Sequence, residues 1–146
     1  MIEQALLPEI DPVTAPFWAA TLRGELVMQR CTTEGCCRYR FPPRPMCPWC
    51  QSLVSVWEPM SGRGRIWSFV VAHPPLLPAY AALAPYPVIV VELDEDPTLR
   101  MVGNLLARED GEINEVDPAS IQIGERVRVT FRPAADDVAL PCWIRE

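Results

Sequence analysis

The run Cys31–Cys50, CTTEGCCRYRFPPRPMCPWC, carries five of the chain's six cysteines within twenty residues. Cys31 and Cys36 stand at one end and Cys47 and Cys50 at the other, with a basic, proline-rich loop between them. Four thiolates gathered this way make a soft tetrahedral site, which suits zinc first and a single iron second. Cys47-Pro-Trp-Cys50 has the spacing that lets one tight turn offer two sulfurs to one ion. The first pair is looser: four residues separate Cys31 from Cys36, and Cys37 follows as a competitor. The reading assigns Cys31, Cys36, Cys47 and Cys50 as ligands and Cys37 as the spare. Four cysteine ligands complete the coordination sphere, so such a site stabilises a fold and leaves no position open for chemistry.

A disulfide framework is the alternative that cysteine spacing alone leaves open. Two features weigh against it. The chain begins MIEQALLPEI, without the basic and apolar regions of a secretory signal, and its cysteines are clustered rather than spread as staples. A cytoplasmic location is therefore expected.

The same residues resemble a known family. Gln29-Arg30-Cys31, Phe41-Pro42-Pro43-Arg44 and Cys47-Pro48-x-Cys50 are similar to the zinc ribbon of the DUF35 proteins, which join a rubredoxin-like zinc ribbon to an OB-fold. Upstream, Phe17-Trp18 and Gly24-Glu25-Leu26 look like the family's leading helix. Downstream, Pro85-Tyr86-Pro87, Val91-Glu92-Leu93-Asp94 and Ile123-Gly124-Glu125-Arg126-Val127 look like its OB-fold half. The chain departs in the longer spacing of its first cysteine pair and in Cys37, where the family usually has glycine. The resemblance implies a small accessory subunit for a thiolase-like enzyme, or for an acyl-CoA hydratase or aldolase. Such a subunit assembles the complex, and its barrel is a candidate to hold the acyl-CoA arm. Fatty, polyketide and steroid side-chain acyl-CoA all remain open as substrates.

Composition sets the outer bounds. Apolar residues make up 49 % of the 146 residues and charged residues 22 %, a globular balance. Seventeen prolines are too many for a helix-rich body, because proline breaks helices and is excluded from central strands. The expected architecture is mainly β: an N-terminal arm and helix over 1–29, a zinc ribbon over 30–53 and a five-stranded OB-type barrel over 54–146. No apolar run approaches the roughly 18 residues of a membrane span.

Along the chain, Thr14 reads as the N-cap of a helix of two to three turns, with Pro16 in its first turn. Phe17 and Trp18 are adjacent, so they cannot both point into one small core; one packs inward and the other is either incidentally exposed or a contact for a partner. Arg38, Arg40 and Arg44 form the densest basic cluster, read as neighbours that offset thiolate charge. Arg65–Ala72 reads as a strand apolar on both faces, followed by strands at Val88–Leu93, Leu99–Leu106, Val127–Phe131 and Leu140–Ile144. The connection Leu76–Pro87 is long and apolar, which is unusual for a solvated loop.

No catalytic constellation is recognisable: there is one histidine, His73, and no serine elbow, glycine-rich phosphate loop or H-E-x-x-H. Zinc ribbons and OB-folds also bind nucleic acid, but a net charge of −6 lacks the basic footprint that phosphate backbones require. The accessory-subunit reading is preferred. Its candidate contacts are Arg63 and Arg65 for phosphates, Tyr80 and Tyr86 for pantetheine amides, and His73 and Leu77 for a partner, with the apolar loop covered from outside.

Overall fold

A computed structural model describes residues 6–146 of the chain. Helix α1 (Ala15–Leu22) leads into a three-stranded antiparallel sheet of β1 (Val27–Cys31), β2 (Tyr39–Arg40) and β3 (Ser55–Pro59), in the order β2-β1-β3. A closed barrel follows: β4 (Arg63–Ala72), β5 (Tyr86–Leu93), β6 (Arg100–Leu106), β7 (Arg126–Ala135) and β8 (Val138–Arg145), with α2 (Pro78–Ala81) between β4 and β5. Its strand order is β4-β5-β6-β8-β7, with β7 pairing back onto β4. The pairing of β6 with β8 is parallel, and every other pair is antiparallel. A five-stranded closed barrel of this kind is the expected OB-fold.

The helix starts at Ala15, directly after Thr14 as expected. Thr14 already has helical dihedrals, however, and its side chain does not cap the helix. Asp11 takes that role, its carboxylate accepting from the backbone N–H of Val13 and of Thr14, both at 2.8 Å. At its other end the helix closes with the N–H of Gly24 bonded to Thr21 O and that of Glu25 to Ala20 O. Gly24 has φ +73°, the left-handed conformation that such a terminus requires. Both aromatics of the helix pack: Phe17 is buried, and Trp18 lies half-buried against the same core with its ring edge-on to Phe17 at 5.0 Å.

Strand β4 corrects the two-faced reading. A β-bulge falls between Ile66 and Ser68, so the alternation changes phase at Trp67. Ile66 is buried and Phe69 packs on the core, while Trp67 and Val70 face outward. Trp67 is covered instead by Arg100, whose guanidinium stands 3.8 Å from the ring centroid. At the start of the strand, Gly64 pairs with Leu93 on one side and Val127 on the other, where the barrel closes. A Cβ there would collide with the backbone oxygen of Glu92, so the seam needs glycine.

One core joins ribbon and barrel. Leu26, Val27 and Met28 from the ribbon side pack with Ile66, Ile89, Val91, Leu93, Leu105, Val127 and Trp143. Tyr39, Phe41 and Trp57 add partly buried rings to it. A second cluster plugs the other end of the barrel: Tyr86, Leu106, Ile113, Cys142 and Ile144, with Leu76, Tyr80 and Leu83 of the long loop laid against them. The apolar loop is therefore spent largely on the protein's own barrel, against the expectation of an external cover. Leu77 is the exception, 59 % exposed. Strand β3 lies past the cysteines, within the segment expected to belong to the barrel, yet it pairs with β1 from Val27↔Pro59 to Cys31↔Ser55.

Candidate metal centre

Cys31 ends β1, so the central strand of the ribbon sheet delivers the first sulfur. Its N–H is held by Arg38 O, which folds the Thr32–Cys37 turn back onto β2. The second turn is fixed by bonds from Cys47 N to Ser52 O and from Gln51 N to Cys47 O, at 2.8 and 2.9 Å. Together they bring the Sγ atoms of Cys31, Cys36, Cys47 and Cys50 within 4.8 Å of one another. The shortest separations cross between the turns, 3.5 Å for Cys31–Cys50 and 3.7 Å for Cys36–Cys47. Sulfurs bound tetrahedrally at about 2.3 Å from one ion lie about 3.8 Å apart, so the four sulfurs form a donor set that could hold one metal ion.

Cys37 is excluded from this group. Its φ of 51° turns the side chain away, leaving it exposed with Sγ against Thr33 O at 3.7 Å. A network stitches the turn to the sheet: Arg30 Nε donates to Cys37 O, Arg30 Nη1 to Glu58 Oε1, and the Tyr39 hydroxyl to Glu58 Oε2 at 2.7 Å. Those donors hold the Glu58 carboxyl below its ordinary range, the Tyr39 hydroxyl bond first and the Arg30 bond next.

The sulfurs titrate apart. Burial resists ionisation of Cys47, but the N–H groups of Cys50 and Trp49, with the neighbouring thiols, outweigh it and bring the group down to about 6. The Thr33 hydroxyl, and then its N–H, lower Cys31. Cys36 goes up to about 12: the N–H of Arg38 favours its thiolate, but burial and the three other sulfurs prevail. Thiolates packed together cannot all ionise without a cation among them. Cys142 is a different kind of thiol, buried in the barrel and pushed up to about 11 by that burial.

The other candidate residues do not converge. Arg63 pairs with Glu146 at 3.1 Å, and Arg65 Nη1 donates to Gly124 O at 3.3 Å. His73, Leu77 and Tyr80 follow the far end of β4 and Tyr86 pairs with its last residue, Ala72, roughly 23–30 Å from Arg65 and Arg63 at about 3.3 Å of rise per residue. Tyr86 is buried, its ring 6.2 Å from that of Tyr80. Two surroundings of the metal centre were not foreseen. Arg38 lies over the Trp49 ring at 5.4 Å, and Arg40, expected as a neighbour that offsets thiolate charge, is only 2 % exposed. Its position between Tyr39 and Phe41, in a strand, was the available signal.

Comparison with known proteins agrees with this architecture. Residues 57–132, just over half of the chain, match the family described as "ChsH2, C-terminal OB-fold domain". A probable enoyl-CoA hydratase alpha subunit of Thermomonospora curvata is 34 % identical over 93 % of this chain, which spans 38 % of that protein. A DUF35 domain-containing scaffold protein of Methanothermobacter thermautotrophicus is 36 % identical over 66 % of this chain and 65 % of its own length. The 3-oxo-4,17-pregnadiene-20-carboxyl-CoA hydratase alpha subunit of Mycobacterium tuberculosis is 36 % identical over 85 % of this chain, which covers 35 % of it. Among solved structures, a chain of the "Ltp2-ChsH2(DUF35) aldolase" superposes with a TM-score of 0.77 at 33 % identity, covering 95 % of this chain and 98 % of that one. With ribbon, barrel and cysteine cluster all in place, the chain belongs to the DUF35 family.

Proposed function

We propose that this protein is a non-catalytic accessory subunit of an acyl-CoA-processing complex, partnered by a thiolase-like enzyme such as a thiolase or a retro-aldol lyase. The observation that carries the reading is the near end-to-end match, over 98 % of its length, to a chain of an assembled aldolase. The absence of a recognisable catalytic set in the sequence agrees with it. In this reading the cysteine centre holds zinc, which supplies four Zn–S bonds in place of an apolar core and no open coordination position. A cytoplasmic location suits thiolates that must stay reduced. Among the described residues, no helix is long and apolar enough to cross a membrane.

The ends of β4 divide the work of contact. Arg63 and Arg65 mark one end, and exposed Leu77 with half-buried Tyr80 marks the other. Leu77 and Tyr80 are the better candidates for a partner subunit, because an exposed leucine beside an aromatic offers uncovered apolar area. The test is co-expression of the tagged chain with a thiolase-like enzyme from its own genome. Acyl-CoA turnover in the co-purified complex, with none from either the pure chain or its zinc-free form, is the expected result. Thiolase, aldolase or hydratase turnover by the isolated chain would overturn the accessory role.

A further inference from the structure

Arg40 is a buried cation that meets no carboxylate among the described residues. It is 2 % exposed, and its Nη1 and Nη2 have no hydrogen-bond partner among the described residues. The remaining donor is used: Nε donates to Gln29 Oε1 at 3.2 Å, and the same oxygen accepts from Arg44 N at 2.7 Å. Gln29, itself buried, thus fixes the guanidinium from one side and leaves the end-on pair of N–H-bearing nitrogens free. Such a pair is the fork that grips two oxygens of one oxyanion. Leaving it unfilled is costly, since a buried unpaired charge loses its hydration and gains nothing in exchange.

Arg40 lines a cleft of about 300 Å³ between the ribbon and the β5–β6 turn. Arg44, Trp49, Tyr39 and Thr98 share the lining, which contains no acidic residue. Among the described residues neither Arg40 nor Arg44 forms an ion pair, so the cleft presents two positive charges in a chain of net charge −6. The acids bonded to the lining are engaged elsewhere: Asp96 accepts from Thr98 N and Thr98 Oγ1 at 2.9 and 2.7 Å, and Glu58 accepts from the Tyr39 hydroxyl and from Arg30 Nη1. Arg44 and Trp49 are exposed and can swing aside to admit a ligand to the buried fork.

We propose that this cleft is a phosphate site: a phosphomonoester dianion takes the Arg40 fork end-on, and Arg44 supplies the second positive charge. Trp49 forms an apolar wall for whatever the phosphate is attached to. A dianion matches the two free cations, whereas a single carboxylate leaves one unbalanced. The site is independent of the accessory-subunit reading, because it is complete within one chain.

The test uses the metal-loaded full chain in chloride buffer, titrated with inorganic phosphate and, separately, with adenosine 3′,5′-bisphosphate, by calorimetry and ³¹P NMR. Saturable one-to-one binding is expected, weakened about tenfold in Arg44→Gln, the loss of one charge-assisted contact. Arg40→Met should abolish it. Equal affinity for the two probes assigns the site to free phosphate, and at least tenfold tighter binding of the nucleotide assigns it to a nucleotide's phosphate. Failure of both probes to bind the wild-type chain would overturn the proposal. Undiminished binding in Arg44→Gln would do the same, and that variant alters an exposed side chain and so tests the site even if Arg40→Met fails to fold.

Discussion

Ribbon and barrel solve the same problem with different materials. In the barrel, Ile89, Val91, Leu105, Val127 and Trp143 are all sealed from solvent, and strand pairing closes the sheet on itself. In the ribbon turns the balance reverses: Met46, Trp49, Leu53 and Val54 stay exposed, and what converges instead is sulfur. Twenty residues, five of them cysteine and five proline or glycine, cannot bury enough apolar surface to offset the entropy of ordering them. Metal–thiolate bonds can. The halves are not independent, since Met28 and Phe41 from the ribbon enter the barrel's core. The comparison teaches that the joint between them should survive loss of the metal, while the turns beyond the joint should not.

Metal removal tests this with the largest effect. Apparent binding energies of structural thiolate–zinc sites are of order 10 kcal/mol, and that energy is spent on folding. Chelation, or Cys47→Ser, should release residues 31–52 to rapid amide exchange while the barrel strands stay protected. Uniform loss of protection through β5 and β8 would show that the two halves fold as one unit.

The reverse experiment is Trp143→Ala. Trp143 is fully buried, and its indole lies against Gly103, where a Cβ would stand 2.9 Å from Nε1. Truncation should cost roughly 3–5 kcal/mol of barrel stability, measured by denaturant unfolding, with metal content retained at one ion per folded chain. Loss of metal in the still-folded fraction would tie the centre to the barrel more tightly than the packing implies.

How far the sequence alone carries the fold depends on whether a feature is local. The cysteine pairs were legible because ligand spacing is written in the chain, and the barrel strands because their alternation is. Trp67 was misread because a bulge shifts phase without leaving a residue-type signature. The connection Leu76–Pro87 was expected to be covered from outside, since no pattern reveals that Leu106, Ile113 and Cys142 form an end needing a plug. Arg40 was read as a charge that offsets the thiolates: its burial depends on the ribbon folding onto the β5–β6 turn, a long-range contact. Backbone geometry, not spacing, brings Cys36 rather than Cys37 beside the other three sulfurs.

A smaller effect tests whether burial alone holds the barrel. Arg126 reaches both carboxylate oxygens of Asp94, at 2.6 and 2.7 Å, and bonds Glu146 as well. The Arg126 hydrogen bond, chiefly, holds Asp94 below its ordinary value. A carboxyl depressed in the folded state lends stability that is complete above its unfolded value, near 3.9, and is lost as pH falls through the folded one. Because both side chains are about one-third exposed, Asp94→Asn should cost no more than about 1 kcal/mol at pH 7. The difference between variant and wild type should shrink below about pH 4. A constant difference from pH 7 to pH 2 would mean that the pair's charge contributes nothing.

The smallest effect falls on the residue that the metal centre leaves out. Cys37 sits at φ 51°, where an L side chain costs about 1–2 kcal/mol relative to its preferred conformations. Glycine pays no such strain, but it costs roughly 0.5–1 kcal/mol more backbone entropy on folding. The exchange also gives up a weak contact between Cys37 Sγ and Thr33 O, long at 3.7 Å. The balance for Cys37→Gly is therefore a gain of about half a kcal/mol, confined to the ribbon, with the metal-to-chain ratio unchanged. Cys36→Gly, one residue earlier, removes a ligand and should lose the metal. If the two variants behave in the opposite sense, Cys37 rather than Cys36 completes the centre, and the turn must fold the other way round.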